Sequence, residues 1–313
     1  MTAITAAFDR RLGPGRLRSH EPLAPFTTFR VGGPADWFVE PQGRDELLTV
    51  LALAHELDLP ITMLGGGSNV LIADRGVRGL VIRPRGGEVV RLHEAAIRAD
   101  AAMTINGLVR WTISHGAAGL EAWAGTPGTV AGAIFGNAHY AGRNISEFVT
   151  DVELWRPDGE VVGLAAAEMQ FGYDRSRLQS SREILLTASF RVADGDPVAL
   201  RTVARESLAF RKRTQPLESP SAGCIFQNPQ RGVDVVPDGI PWSAGALVDR
   251  AGLKGATQGA ARVATTHANF IVNDGGATSD DIRQLVQRCR DVVAATFGVV
   301  LREEIVYLGD FDA

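Results

Sequence analysis

At 313 residues the chain can bury a substantial core without disulfides or a structural metal, and its length allows two or three domains. A net charge of −4, a pI of about 5.9 and dispersed basic residues exclude the electrostatic footprint of a nucleic-acid binder, so any phosphate binding must be local. Charges interrupt MTAITAAFDRRLGPGRL where a signal peptide needs its apolar core, and no run reaches the ~18 apolar residues of a membrane span, which predicts a cytoplasmic protein with no membrane partner.

Residues 44–58 place Leu47, Leu48, Leu51, Ala54 and Leu57 on the 3.6-residue stripe of an amphipathic helix. PITMLGGGSNVLIADRGVRGLVIR then reads as strand, glycine loop, strand, turn, strand. From 88 to 200 the short strands EVVRL, DVELW, EVVGL and EILLTASFRV surround a helix near 103–115 and a Gly/Ala-rich segment at 125–142, a mixture that predicts an α+β fold. VALRTVARESLAFRKR is helix-like. Another helix spans 279–297, where Ser279 can cap and Ile282, Leu285, Val286, Cys289, Val292, Val293 and Phe297 form the inward face, so Cys289 is a core residue. LREEIVYLG closes the chain as a strand. Cys224 and Cys289 lie far apart without a C-x-x-C, and the six histidines have no ligand spacing, so neither a disulfide nor a metal site is predicted.

Two glycine-rich stretches carry the chemistry. Gly65, Gly66 and Gly67 followed by Ser68 and Asn69 expose successive backbone N–H groups without Cβ obstruction, a nest suited to a pyrophosphate. A strand follows instead of the helix that G-x-G-x-x-G would open, so a dinucleotide site of non-Rossmann architecture fits better. Taken alone, the loop is equally a plain tight turn. GLEAWAGTPGTVAGAIFGNA supplies small residues suited to a large planar ligand, or to packing of a helix on a sheet.

TTFRVGGPADWFVEP, LGGGSNVLIADRGVRGLVIR, AGTPGTVAGAIFGNA, SAGCIFQNP, SAGALVDRAGLKG, HANFIVN and LREEIVYLG occur in one order from about residue 21 to 309. As a set they resemble the UDP-N-acetylenolpyruvoylglucosamine reductases, in the shorter type without a tyrosine-bearing insertion. The resemblance implies a two-subdomain FAD-binding fold of the vanillyl-alcohol-oxidase type plus a third, substrate-binding α+β domain. The expected divisions are 1–87, 88–200 and 201–313, with the final strand returning to the active site. It implies reduction of UDP-N-acetylglucosamine enolpyruvate to UDP-N-acetylmuramate in peptidoglycan precursor synthesis, with non-covalent FAD and NADPH as hydride donor, by a monomer. An FAD oxidase of the same superfamily is the alternative, disfavoured because no covalent tether is evident beside the lone His139; a non-catalytic flavin- or nucleotide-binding protein is the other.

The same resemblance assigns Thr28, Arg30, Gly32, Gly65, Gly66, Gly67, Ser68 and Asn69 to FAD, with Thr126, Pro127, Gly128, Thr129, Gly132 and Ala133 along the flavin. Cys224 takes the place of the family's proton-donating serine, a tolerable change because a thiol, with a reference pKa of ~8.5, is the better acid. Glu304 aligns with the second acid; in a strand Glu303 and Glu304 point to opposite faces, so one of the two is selected. The family's Tyr-Arg-x-Ser stands here as Tyr173-Asp174-Arg175-Ser176, which leaves Arg177, Arg175 or a group from elsewhere in the chain to meet the substrate carboxylate, with Arg177 preferred. Arg211, Lys212 and Arg213 are the cations offered to the substrate phosphates, with Arg213 taken as substrate-binding; Thr214 replaces the usual lysine before Gln-Pro, which leaves open which cation reaches the diphosphate. Tyr173 and Asn228 are the remaining substrate-binding candidates.

Overall fold

The computed structural model describes residues 3–140 and 142–311. The chain forms two compact units, each assembled from separated segments: Met1–His20, Asp36–Gly66 and Gly79–Phe210 in the first, and Glu21–Ala35, Gly67–Arg78 and Arg211–Ala313 in the second.

The first unit is built around a five-stranded antiparallel sheet in the order Val161–Ala165, Val149–Trp155, Ile184–Arg191, Ala96–Asp100, Val89–His93. Its middle strand is buried at every position except Arg191, which is why ILLTASF reads as a run of apolar and small residues without alternation. The helix Ile105–Ser114 is capped by Thr104, whose hydroxyl accepts from the Gly107 N–H. It buries Ile105, Leu108, Val109, Thr112 and Ile113, one face at helical spacing, in a core that includes Trp123, Val130, Ile134 and Phe190. The helix Gly43–Glu56 buries Leu47, Val50, Leu51, Leu53 and Ala54; Leu48 and Leu57, assigned to that face from the sequence, are only partly buried beside it. Leu17–Pro22, Pro34–Val39, Val77–Ile82 and Ile61–Met63 make a four-stranded sheet in that order, the last two strands parallel with Ile61 opposite Leu80.

The second unit has the antiparallel sheet Thr257–Gln258, Ala261–Val263, Ile271–Asn273 and the helices Ala244–Arg250 and Ser279–Phe297. Cys289 is buried in the core of this unit with Ile282, Leu285, Val286 and Val293, and burial pushes its thiol up to about 12, as befits an inert core cysteine. The cap of this helix is Thr278 rather than Ser279. Thr278 Oγ1 accepts from Asp281 N–H and the Asp281 carboxylate accepts from Thr278 N–H, while the buried Ser279 hydroxyl accepts from Asp74 N–H at 2.9 Å.

The closing segment is regular strand only over Val306–Leu308, where it pairs parallel with Val70–Ile72. Upstream, Gln227 N–H donates to Arg302 O and Glu304 N–H to Ile225 O, an antiparallel pairing. Val306 N–H then turns to Asn69 O. The segment therefore changes partner at Glu304, and the continuous strand expected over LREEIVYLG is interrupted there because one backbone edge cannot satisfy both neighbours in a single register.

Candidate active site

The two glycine-rich stretches meet inside the first unit. A Cβ on Gly66 would lie 2.6 Å from Gly128 Cα, and one on Gly65 would lie 2.8 Å from Thr129 Oγ1. Glycine at 66 is required by this backbone-to-backbone approach rather than by a left-handed φ. Asn106 holds the second stretch from behind, its Oδ1 accepting from Gly125 N–H at 2.7 Å and its Nδ2 donating to Thr126 O at 3.3 Å. Thr129 Oγ1 accepts from Gly132 N–H and starts the short helix Val130–Phe135, in which Ala133 is buried.

Backbone donors must go somewhere. Among the described residues, the N–H groups of Gly65, Gly66, Gly128 and Thr129 in the first unit donate to no protein acceptor, and in the second unit neither do those of Gly67, Ser68 and Asn69. Successive donors on glycine-rich backbone form an anion-binding concavity, and the Gly65–Gly66 and Gly128–Thr129 backbones of the first unit fit the phosphates of a dinucleotide. Pro127 lies between Thr126 and Gly128 in a segment outside helix and strand.

In the second unit, Gly67 has φ +64°, and a Cβ there would run into the Phe26 carbonyl. Thr28 fixes it from the other side: its N–H and Oγ1 donate to Gly67 O at 2.9 and 3.2 Å. Arg30 is exposed with φ +60°, and a Cβ on Gly32 would meet Ile72. Asn69 reaches onward, Nδ2 donating to Glu304 O at 3.1 Å.

That bond leads to the acid positions. Glu304 N–H donates to Ile225 O at 2.8 Å, so Glu304 and Cys224 sit on two hydrogen-bonded segments one residue out of step. Gly223, with φ +79°, turns the chain into Cys224, which is partly buried against Ala264, Phe270 and Val272. Glu303 faces other work. Its carboxylate takes Arg290 Nη1 at 2.7 Å, and burial together with a hydrogen bond to this carboxylate raises the pKa of the Tyr307 hydroxyl.

Asn269, part of HANFIVN but given no role from the sequence, clamps the Cys224 loop. Its carbonyl accepts from Ile225 N–H, and its side chain both accepts from Phe226 N–H (2.9 Å) and donates to Phe226 O (2.8 Å). His267 Nδ1 accepts from Asn269 N–H, and burial lowers the pKa of this imidazole, consistent with its acceptor role. Buried asparagines with both amide ends engaged were the missed signal; Asn273, joined to Phe29 O, Gly275 N–H and Ala277 N–H, is another.

The arginine positions separate clearly. Arg177 makes a two-pronged pair with Glu183, Nε–Oε2 2.7 Å and Nη2–Oε1 2.9 Å, with Glu183 only 4% exposed and Arg156 also within 3.5 Å of it. The hydrogen bond from Arg177 holds the Glu183 carboxyl below its ordinary range. Arg175 is exposed and, among the described residues, no side-chain hydrogen bond or ion pair engages it. Tyr173 is exposed beside it. Arg213 is exposed in the last turn of the helix Pro197–Thr214, whereas Arg211 is buried. Asn228 is exposed with its Oδ1 accepting from Ala244 N–H at 3.0 Å, which engages the acceptor half of its amide. Among the described residues no group of three or more His, Cys, Asp or Glu side chains could hold a metal ion.

Residues 215–308 match the family described as UDP-N-acetylenolpyruvoylglucosamine reductase, C-terminal domain, and residues 35–165 match an FAD binding domain. The chain is 36% identical to the UDP-N-acetylenolpyruvoylglucosamine reductase of Heliobacterium modesticaldum, over 99% of this chain and 95% of the relative. It is 40% identical to that of Gloeobacter violaceus, over 92% and 94%. The crystal structure of the reductase from Thermus caldophilus superposes with a TM-score of 0.75 at 31% identity, covering 93% of this chain and 98% of that one.

Proposed function

The chain belongs to the UDP-N-acetylenolpyruvoylglucosamine reductase family, and on that premise we propose that it is the NADPH-dependent flavoenzyme that reduces UDP-N-acetylglucosamine enolpyruvate to UDP-N-acetylmuramate in peptidoglycan precursor synthesis. The observation that carries the reading is the pairing of Glu304 N–H with Ile225 O, which sets the two candidate acids, Cys224 and Glu304, on adjoining segments. We take 1–87 and 88–200 as the two parts of an FAD-binding region of the vanillyl-alcohol-oxidase type, 201–313 as the substrate-binding part, and the enzyme as a cytoplasmic monomer.

FAD, bound non-covalently and reduced by NADPH, would supply the hydride. The unpaired N–H groups from Gly65 to Asn69 would hold its pyrophosphate, and Thr126 to Thr129 with Gly132 and Ala133 would lie along the ring. Hydride adds to the methylene carbon of the enol ether, and the electron pair of the double bond moves to the α-carbon and into the carboxylate. Cys224 Sγ–H then delivers a proton to the α-carbon, and solvent restores the thiol. Glu304 stabilises the enolate-like charge as the second acid, with Arg175 as the guanidinium on the carboxylate, since Arg177 is engaged by Glu183. Tyr173, Asn228 and Arg213 contact the nucleotide-sugar, Arg213 at the diphosphate.

The test is anaerobic and aerobic turnover of the purified flavoprotein with NADPH and UDP-N-acetylglucosamine enolpyruvate. One NADPH oxidised per UDP-N-acetylmuramate formed is expected. Flavin reduction followed by O2 consumption with the enol ether untouched would overturn the reading in favour of an oxidase.

A further inference from the structure

Gly172 and Arg175 close a tight turn, Gly172 N–H donating to Arg175 O at 2.9 Å and Arg175 N–H to Gly172 O at 3.3 Å, and Asp174 within it has φ +51°. Side chains tie this turn to the segment that follows the glycine-rich helix. Gln179 Nε2 donates to Asp174 O at 2.9 Å and to Phe135 O at 3.2 Å, and Asn137 Nδ2 donates to Gly172 O at 2.7 Å. Asp174 is carried inward as a result, its side chain 7% exposed. Its Oδ1 lies 3.0 Å from His139 Nδ1, and its Oδ2 is buried without a hydrogen-bond partner.

An aspartate on a tight turn ordinarily reaches water or its own backbone. Here one carboxylate oxygen has lost its hydration without compensation, and the residue occupies a conformation that L side chains disfavour; strain and desolvation at one place point to function. A carboxylate so buried draws its counter-charge from the group it touches, the His139 ring. With Nδ1–H donating to Asp174 the tautomer is set, Nε2 is directed away from the carboxylate, and the ring keeps 35% of its surface. Tyr173 lies against it, ring centroids 5.2 Å apart and tilted by 32°, an aromatic wall that favours the charged imidazole. Among the described residues, the charged or titratable groups of this neighbourhood include Arg175 on the turn, Tyr140, and Arg143, which pairs with Tyr140 across a short two-stranded ribbon and is bonded to Glu147.

We propose that His139 and Asp174 form an anion-binding pair in which the imidazolium of His139 meets the carboxylate of the enolpyruvyl group and Asp174 is the positioning residue that orients and charges it. The inference rests on the reductase reading. Asp174 stands where the resemblance puts the guanidinium for the substrate carboxylate, and its contact brings His139, four residues past the helix Val130–Phe135, to that position. As hydride arrives the enolpyruvyl group's single negative charge becomes two, so a second cation beside Arg175 is attracted more strongly in the transition state than in the ground state, the condition for catalysis. A carboxylate at 174, where the resemblance puts a guanidinium, then moves the positive charge across one contact to residue 139 rather than removing it.

Holoenzyme variants H139Q, H139K and D174N test the pair. In H139Q the KM for the enol ether should rise at least tenfold and reoxidation of pre-reduced flavin by substrate should slow in step, with H139K recovering most of both. D174N should show the defect at pH 8 and regain function toward pH 6, where an unaided imidazole with a pKa of about 6.5 is protonated. 15N NMR of histidine-labelled holoenzyme reads the pair without turnover: His139 should keep imidazolium shifts above pH 7 in the wild type and lose them by pH 7 in D174N. Wild-type KM and reoxidation in H139Q, or a neutral His139 in the wild type at pH 7, would overturn the proposal. Failure of the reductase reading looks different, because the wild type itself would then leave the enol ether unreduced, and the NMR titration would still decide the pair.

Discussion

Alanine at Gly66 should separate flavin binding from folding. The added Cβ would stand 2.6 Å from Gly128 Cα, 3.2 Å from its N and 3.3 Å from its C, all backbone atoms that cannot rotate away. Restoring an ordinary carbon–carbon separation of about 3.5–4.0 Å moves the two loops apart by about 1 Å. A donor that sat about 2.9 Å from a phosphate oxygen then lies near 3.9 Å, beyond hydrogen-bonding range. Each bond to a charged group contributes about 1.5–3 kcal/mol, so losing two costs about 3–6 kcal/mol and weakens FAD binding on the order of 10²-fold or more. Overpacking of the apoprotein costs a further 1–3 kcal/mol, roughly 2–12 °C in Tm at 2–4 °C per kcal/mol. Gly159→Ala is the control: that glycine has φ +90° with nothing within 4 Å, so alanine there costs about 1 kcal/mol of backbone strain and should leave FAD binding alone. Titration of the apoproteins with FAD by flavin fluorescence gives Kd, and calorimetry gives Tm. Gly66→Ala with FAD affinity within threefold of wild type, despite a lowered apoprotein Tm, would show that these donors do not hold the pyrophosphate.

Cys224→Ser should keep measurable turnover, since a hydroxyl can fill the same place, whereas Cys224→Ala should slow substrate-driven flavin reoxidation by about 10²-fold or more in stopped flow. Glu304→Gln should lower turnover by a similar factor, while Glu303→Gln, which removes the partner of Arg290 and Tyr307, should lower Tm and spare turnover; the reverse pattern would exchange the two roles. Arg177→Met strands the buried Glu183 with only Arg156 nearby, a loss of about 2–4 kcal/mol read as a lower Tm, whereas Arg175→Met should raise the KM for the enol ether without moving Tm. Because Arg177 lowers the pKa of Glu183 in the folded state, the unfolded chain binds the extra proton first: this contribution is complete above the ordinary carboxyl value of 4.5 and is lost as pH falls below it, so Tm should drop more steeply below pH 4.5 in wild type than in Arg177→Met.

How far the sequence carried depends on what each feature is made of. The helix Ser279–Phe297 has its expected bounds because an amphipathic stripe is a local property, repeated over five turns. Its cap was displaced by one residue because Ser279 answers a distant request, the Asp74 N–H, which periodicity cannot show. Glu304 was selected over Glu303 by alignment and by strand alternation; the alignment is the argument that survives, since the segment is not regular strand at that point and the two glutamates part company through Arg290 instead. Arginine shows the limit more sharply. Arg175 and Arg177 are equivalent in composition and nearly so in position, and only the fold reveals that Glu183, eight and six residues further on, captures one of them. Asp174 looked like a lost cation site when read one position at a time. Contact with His139, 35 residues away in the chain, makes it half of a charged pair, so the apparent departure and its compensation become one feature. Residues whose partners are close in sequence were legible; residues whose chemistry is set by a partner brought in by folding were not, and the acid and cation positions of this site are of the second kind.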